Sequence, residues 1–182
     1  MKRFLLLALC ISLFTGCATT SMLTRDTKPE ITPKPDSATL VIIRDAWMGS
    51  PIVFWHYVDG KLIGETQGKT YFIANVNPGL HYVVTATENT VVYQMDLRPG
   101  KIYYLRDGVI MGMWRARSSG FTPLTPQEAM EAIKVCKFLE LDPSKPQEDM
   151  DPKLYQKALE DYQAELKANP AGFKDVLEYK GY

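Results

Sequence analysis

VDGKLIGETQGKTYFIANVNPGLHYVVTATENTVVYQMDLRPGKIYYL, residues 58–105, is punctuated at regular intervals by turn residues set between apolar runs. Asp59-Gly60 comes first, between Val58 and Lys61. An Asp-Gly pair in that setting is the strongest short-range hairpin signal, because a type I′ turn needs positive φ at both central positions. Two near-copies of a second punctuation follow, Asn77-Pro78-Gly79 and Arg98-Pro99-Gly100. In each, proline fixes φ at the first corner and glycine supplies positive φ at the second, which predicts two type II turns. The prolines are 21 residues apart, room for two short strands and one connection at Thr87-Glu88-Asn89-Thr90.

Alternation gives the same reading. Over 91–97, Val91, Tyr93, Met95 and Leu97 share one face and Val92, Gln94 and Asp96 the other, so the strand is half-buried. Over 80–87, Leu80, Tyr82, Val84 and Ala86 oppose His81, Val83, Thr85 and Thr87, which sets His81 on the more polar side. The runs 39–43 and 52–58 lack alternation, as strands covered on both faces do. The expected fold is mainly β: an antiparallel β-sandwich of about seven strands, with two or three C-terminal α-helices, α+β overall.

Past the ladder the period changes. Thr125-Pro126-Gln127-Glu128 is a capping box with proline at the first helical position and Leu124 placed for a hydrophobic staple. Ala129, Ala132, Ile133 and Cys136 then recur at helical spacing, which puts Cys136 on the core-facing stripe. Asp151-Pro152 starts a second helix with the stripe Tyr155, Ala158, Leu159, Tyr162 and Leu166, ending at Asn169-Pro170. Phe173, Val176 and Leu177 suggest a last short amphipathic turn.

The amino terminus carries a different message. Lys2-Arg3 precede an apolar run over 4–14 that is too short to span a bilayer, the pattern of an export signal. Its end, Thr15-Gly16-Cys17, resembles the lipobox of bacterial lipoproteins, with Phe14 where that family usually has leucine. The resemblance implies cleavage before Cys17 and transfer of a diacylglycerol to its thiol, with palmitate as the expected kind of acyl chain. One acyl chain holds a protein marginally and two hold it stably. Ala18, in place of an aspartate that would favour inner-membrane retention, implies the periplasmic face of the outer membrane. The organisation expected is a signal peptide over 1–16, a lipidated terminus and tether over 17–37, a β-sandwich domain with its terminal helix over 38–138, and a helical extension over 139–182. The tether carries Pro29, Pro33 and Pro35 without hydrophobic period, and should be extended and partly disordered. Twenty such residues reach at most roughly 70 Å.

Tyr57-Val58-Asp59-Gly60-Lys61, Thr70-Tyr71-Phe72, Pro78-Gly79-Leu80-His81 and Pro99-Gly100-Lys101-Ile102-Tyr103-Tyr104-Leu105 together resemble a family of short bacterial lipoproteins that share a domain of unknown function. More distantly they are similar to transthyretin-like β-sandwich modules. The resemblance spans 38–133, rests on turns, and brings no catalytic residues; Leu80 stands where that family has lysine, and the long helical tail is a departure from it.

Composition narrows the function classes. The chain has 21 basic and 21 acidic residues; without the signal peptide 19 face 21, a net of −2. No basic stripe with interleaved aromatics points to nucleic acid. Cys10 leaves with the signal and Cys17 takes lipid, so Cys136 has no disulfide partner within the mature chain. The two histidines, His56 and His81, stand in no metal-ligand spacing, and no nucleophile or phosphate-loop motif accompanies them. The expectation is therefore a non-catalytic module of the cell envelope, with no cofactor and no metal. It would be held to the membrane by its acyl chains and bind an envelope protein. The alternative is a periplasmic hydrolase-like enzyme using a carboxylate site that sequence does not reveal. Met111, Met113, Trp114, Arg115 and Arg117 are the candidate partner-binding residues, because methionine, tryptophan and arginine concentrate at interfaces. Trp47, in the loop before Pro51, is a second candidate.

Overall fold

The structure is a computed structural model that describes residues 20–182 apart from Trp114. Its elements run β1 (Met22–Arg25), β2 (Ala38–Arg44), β3 (Phe54–Val58), β4 (Lys61–Thr66), β5 (Thr70–Val76), β6 (Gly79–Ala86), β7 (Thr90–Leu97), β8 (Ile102–Met111) and β9 (Ala116–Pro123). Helix α1 (Pro126–Lys134), β10 (Lys137–Leu141), α2 (Pro152–Ala168), a 3-10 turn (Pro170–Phe173) and α3 (Lys174–Leu177) complete the chain. The strands form a six-stranded sheet, β1-β10-β5-β2-β8-β9, and a four-stranded sheet, β4-β3-β6-β7. The fold is thus mainly β with C-terminal helices. It has ten strands where about seven were expected, and β10–β5 and β2–β8 pair in parallel.

Strand β2 explains the layering. Leu40 and Ile42 point between the sheets, where they meet Phe72, Tyr103 and Leu105. Val41 and Ile43 point the other way and join Tyr71, Tyr104 and the α1 residues Ala129, Ala132 and Ile133. Every residue of β2 is buried, so the absence of polar alternation reflects cover on both faces. Helix α2 covers the outer face of the four-stranded sheet, so the molecule is layered α1, six strands, four strands, α2. Tyr162 of α2 packs edge-on against Tyr82, with ring centroids 6.1 Å apart, and its hydroxyl accepts from the Gln94 amide at 3.4 Å. Most of a helix's stability in a folded protein comes from packing its apolar face, so Ala158 and Tyr162 do most to hold α2 in place. Phe173 then wedges against Tyr93 and Tyr162 and closes the edge beside β7.

Asp59 and Gly60 have φ of 51° and 80° and join β3 to β4 as a two-residue hairpin. Thr125 and Glu128 form the reciprocal capping box, and the Asp151 carboxylate accepts from the Lys153 and Leu154 amides. Cys136 is buried beside Tyr71 and Phe138, and burial pushes its thiol up to about 11.

The Pro-Gly punctuations prove to be corners where the chain changes sheet: β5 to β6 at Pro78, and β7 to β8 at Pro99. Gly100, with φ of 69°, keeps the conformation a type II turn requires. Gly79 does not; at φ 144° it already belongs to β6 and pairs with Leu97. The more polar face of β6 is also the inward one at its far end, where Thr85 is fully buried and hydrogen-bonded to His56.

Residues 20–37, the described part of the expected tether, differ most from expectation. Within them β1 pairs antiparallel with β10 from Met22 opposite Leu141 to Arg25 opposite Phe138. Lys28 Nζ donates to the carbonyls of Ile133 and Lys134 at 2.7 and 3.2 Å, capping the negative end of α1. Ile31 packs on the outer core. Composition missed this because the partners lie more than a hundred residues away.

Candidate functional site

Arg44 ends β2 and, by alternation, turns into the space between the sheets, where its side chain is fully buried. Its guanidinium donates to the carbonyls of Ile52 at 2.6 Å and Gly49 at 2.7 Å and lies 3.8 Å over the Phe54 ring. Burial lowers its pKa to about 10, against the pull of Asp107, so it stays charged at neutral pH. A buried arginine thereby holds the loop that carries Trp47 from beneath.

The rest of the polar end of the core continues from there. His56 bonds Thr85 Oγ1 at 3.1 Å and Thr66 Oγ1 at 2.9 Å. The Ser118 hydroxyl donates to Asp107 Oδ1 at 2.5 Å, and Asp107 Oδ2 lies 3.9 Å from His56 Nδ1. Burial, helped by the Arg44 charge, brings the His56 pKa down to about 3 and keeps it neutral. Burial raises Asp107 to about 7 against the hydrogen bond from Ser118 and the nearby charge of Arg44. Serine, histidine and aspartate meet here, but the serine donates to the carboxylate, both imidazole nitrogens are taken by threonines, and the group is sealed from solvent. It works as an internal strut.

Outside the strut lies an edge assembled from three connections. Gly49 has φ of 63°, and a Cβ there would sit 2.2 Å from the Ala116 Cβ, so the 45–53 loop presses directly on β9. The Glu88 carboxylate accepts from the amides of Met113 at 3.2 Å and Arg115 at 2.7 Å. Thr87 Oγ1 donates to the Ala116 carbonyl, and Asn89 exchanges two hydrogen bonds with the Ser118 backbone at 2.9 and 3.0 Å. The backbone of the β8–β9 hairpin is tied down while its large side chains face solvent: Met111 is 72% exposed, Met113 80%, and Trp47 across the same edge 76%.

The candidates Trp47, Met111, Met113, Arg115 and Arg117 are therefore all exposed, and the Gly49–Ala116 contact joins the loop and the hairpin that carry them. Cys17 and Trp114 lie outside the described residues. Sequence reading passed over Trp55. It sits on the outer face of β3, 39% exposed, and with Ile110, Arg117 and Leu154 lines a groove of about 1320 Å³ between the four-stranded sheet and α2. Its strand neighbours Phe54 and His56 both point into the core, which made the run look covered on both faces; the alternation of Trp55 and Tyr57 against them was the available signal.

Among the described residues no group of histidine, cysteine, aspartate and glutamate could hold a metal ion, and no helix is long and apolar enough to cross a membrane. Comparison with protein-family models, with curated proteins and with solved structures finds no match to this chain.

The backbone of the edge makes a graded prediction. Gly49→Ala should cost clearly more than Gly100→Ala: both have positive φ, but nothing lies within 4 Å of a Cβ on Gly100. Thermal or urea unfolding should show about 1 kcal/mol lost at Gly100 and roughly 2–4 at Gly49. Equal losses would mean that the loop moves off β9 without cost.

Proposed function

We propose that this chain is a lipid-anchored envelope lipoprotein whose folded part is a non-catalytic binding module. Acyl chains on Cys17 hold it at the periplasmic face of the outer membrane, and it engages an envelope protein through the edge formed by Trp47, Met111 and Met113, with Arg115 and Arg117 at the rim. The observation that carries this reading is large apolar side chains exposed on a backbone that Arg44, Glu88 and Asn89 fix in place. Such side chains lose little freedom of the main chain on binding, and exposed methionine and tryptophan beside arginine is the composition of a binding hot spot.

A photoreactive amino acid at Met113 in the full-length protein, expressed in its own cells, should give a discrete crosslinked species that the same probe at Asp175 does not. Adding Trp47→Ala and Met111→Ala should remove most of that species while circular dichroism and melting stay as in the parent. Equal crosslinking from Met113 and Asp175 would exclude this edge as the binding surface.

A further inference from the structure

The segment nearest the proposed acyl site is clamped. Thr20 Oγ1 donates to Glu65 Oε2 at 2.7 Å and the Ser21 amide to Glu65 Oε1 at 3.0 Å. Glu65 is only 2% exposed, so a buried carboxylate has given both oxygens to these two residues. Lys145 Nζ donates to the Thr20 carbonyl at 2.6 Å, and the Asp142 amide to the Ser21 carbonyl at 2.8 Å. Strand β1 begins at the next residue and locks the register against β10.

Three peptide steps separate Cys17 from Thr20, a reach of about 11 Å when fully extended. The headgroup region of one leaflet is itself roughly 5–8 Å deep, so a cysteine acylated at the hydrocarbon boundary leaves the clamp no room to stand clear of the surface. The face around the clamp suits that position. Thr20 shares a shallow groove of about 320 Å³ with Lys69, Val135 and Lys137. Lys69, Lys137 and Lys145 are exposed, and Val135 is 58% exposed. Lysines beside an apolar side chain match the anionic headgroups and boundary layer of a phospholipid surface.

We infer that, given acylation of Cys17 as proposed above, the domain rests directly on the bilayer, with Thr20, Lys69, Val135, Lys137 and Lys145 turned to the phospholipid headgroups. The membrane is then a second binding surface of the folded domain, on the side where β1, β10 and β4 meet. The opposite side, where α3 packs beside β7 and β9, faces away.

The test uses the full-length, acylated protein in vesicles of phosphatidylethanolamine and phosphatidylglycerol, with a Cys136→Ala background. A fluorophore is placed on Lys137→Cys or on Asp175→Cys, an exposed position of α3. A quencher on the lipid headgroups should quench the 137 label several-fold more than the 175 label. Inserting about twelve Gly and Ser residues after Ala18 should bring the 137 label down towards the 175 value, because the leash then reaches roughly 40 Å further. Acylated protein with equal quenching at both positions overturns the inference and leaves anchoring intact. Stronger quenching from Met113→Cys than from Lys137→Cys also overturns it, since the hairpin edge would then face the lipid. A mature N-terminal peptide that carries no acyl chain by mass spectrometry removes the anchoring reading, and this inference with it.

Discussion

Arg44→Ala should lower the unfolding free energy by about 3–5 kcal/mol, the range seen when one member of a buried charged network is removed. The loss combines three effects. The carbonyls of Ile52 and Gly49 lose their donor inside the structure. Asp107 loses the positive charge that offsets its burial. The Phe54 ring loses the group stacked on it. Urea unfolding gives the size, and the position of Trp47 gives the mechanism: its fluorescence should shift and broaden in the variant before global unfolding, because the loop is no longer held from below. Arg44→Lys should recover only part of the loss, since an ammonium cannot span carbonyls that the planar guanidinium reaches together. A drop under about 1 kcal/mol with unchanged Trp47 emission would mean that the loop is held by its own turns.

Asp107→Asn should change the slope of stability against pH. Asp107 is raised to about 7 in the folded protein from its ordinary value of 3.8, so between those values the folded state holds a proton that the unfolded state has lost. Its contribution to stability therefore falls as pH rises through that window. His56 has the opposite sign. Lowered to about 3 from 6.5, it is neutral when folded and protonated when unfolded, so its contribution rises with pH between those values. The two slopes oppose each other from about pH 4 to 6.5. Removing the aspartate leaves the histidine slope alone, and the variant should gain on the wild type by on the order of 3 kcal/mol between pH 4 and 7. Paired denaturation curves at four or five pH values measure this directly. Parallel profiles would mean that Asp107 is ionised throughout, its charge met by Arg44.

What the sequence displayed and what it concealed follow from range. The Asp59-Gly60 hairpin, the Thr125 capping box and the Asp151 cap are decided within four residues, and each stands where local chemistry put it. The Pro-Gly corners were visible as turns. Whether the flanking strands stay in one sheet depends on pairings such as Ile42 with Leu105, which lie far apart in sequence. Strands β1 and β10 were missed for the same reason: Met-Leu-Thr-Arg and Lys-Phe-Leu-Glu-Leu are short and carry little pattern, and become strands by pairing with each other and with β5. Trp47 and the hairpin methionines announced themselves by residue type. Arg44 did not, because arginine is usually a surface residue and only the direction of β2 turns it inward.

Strand β1 has a practical consequence for anyone cutting this chain. Composition invites a start at Ala38, where the proline-rich stretch ends. Such a shortened protein would keep nearly all of both cores, yet β10 would become the outermost strand, with unpaired backbone groups where Met22 to Arg25 had been. Bare edges of that kind recruit other copies, so the natural place to cut lies on the amino-terminal side of Thr20.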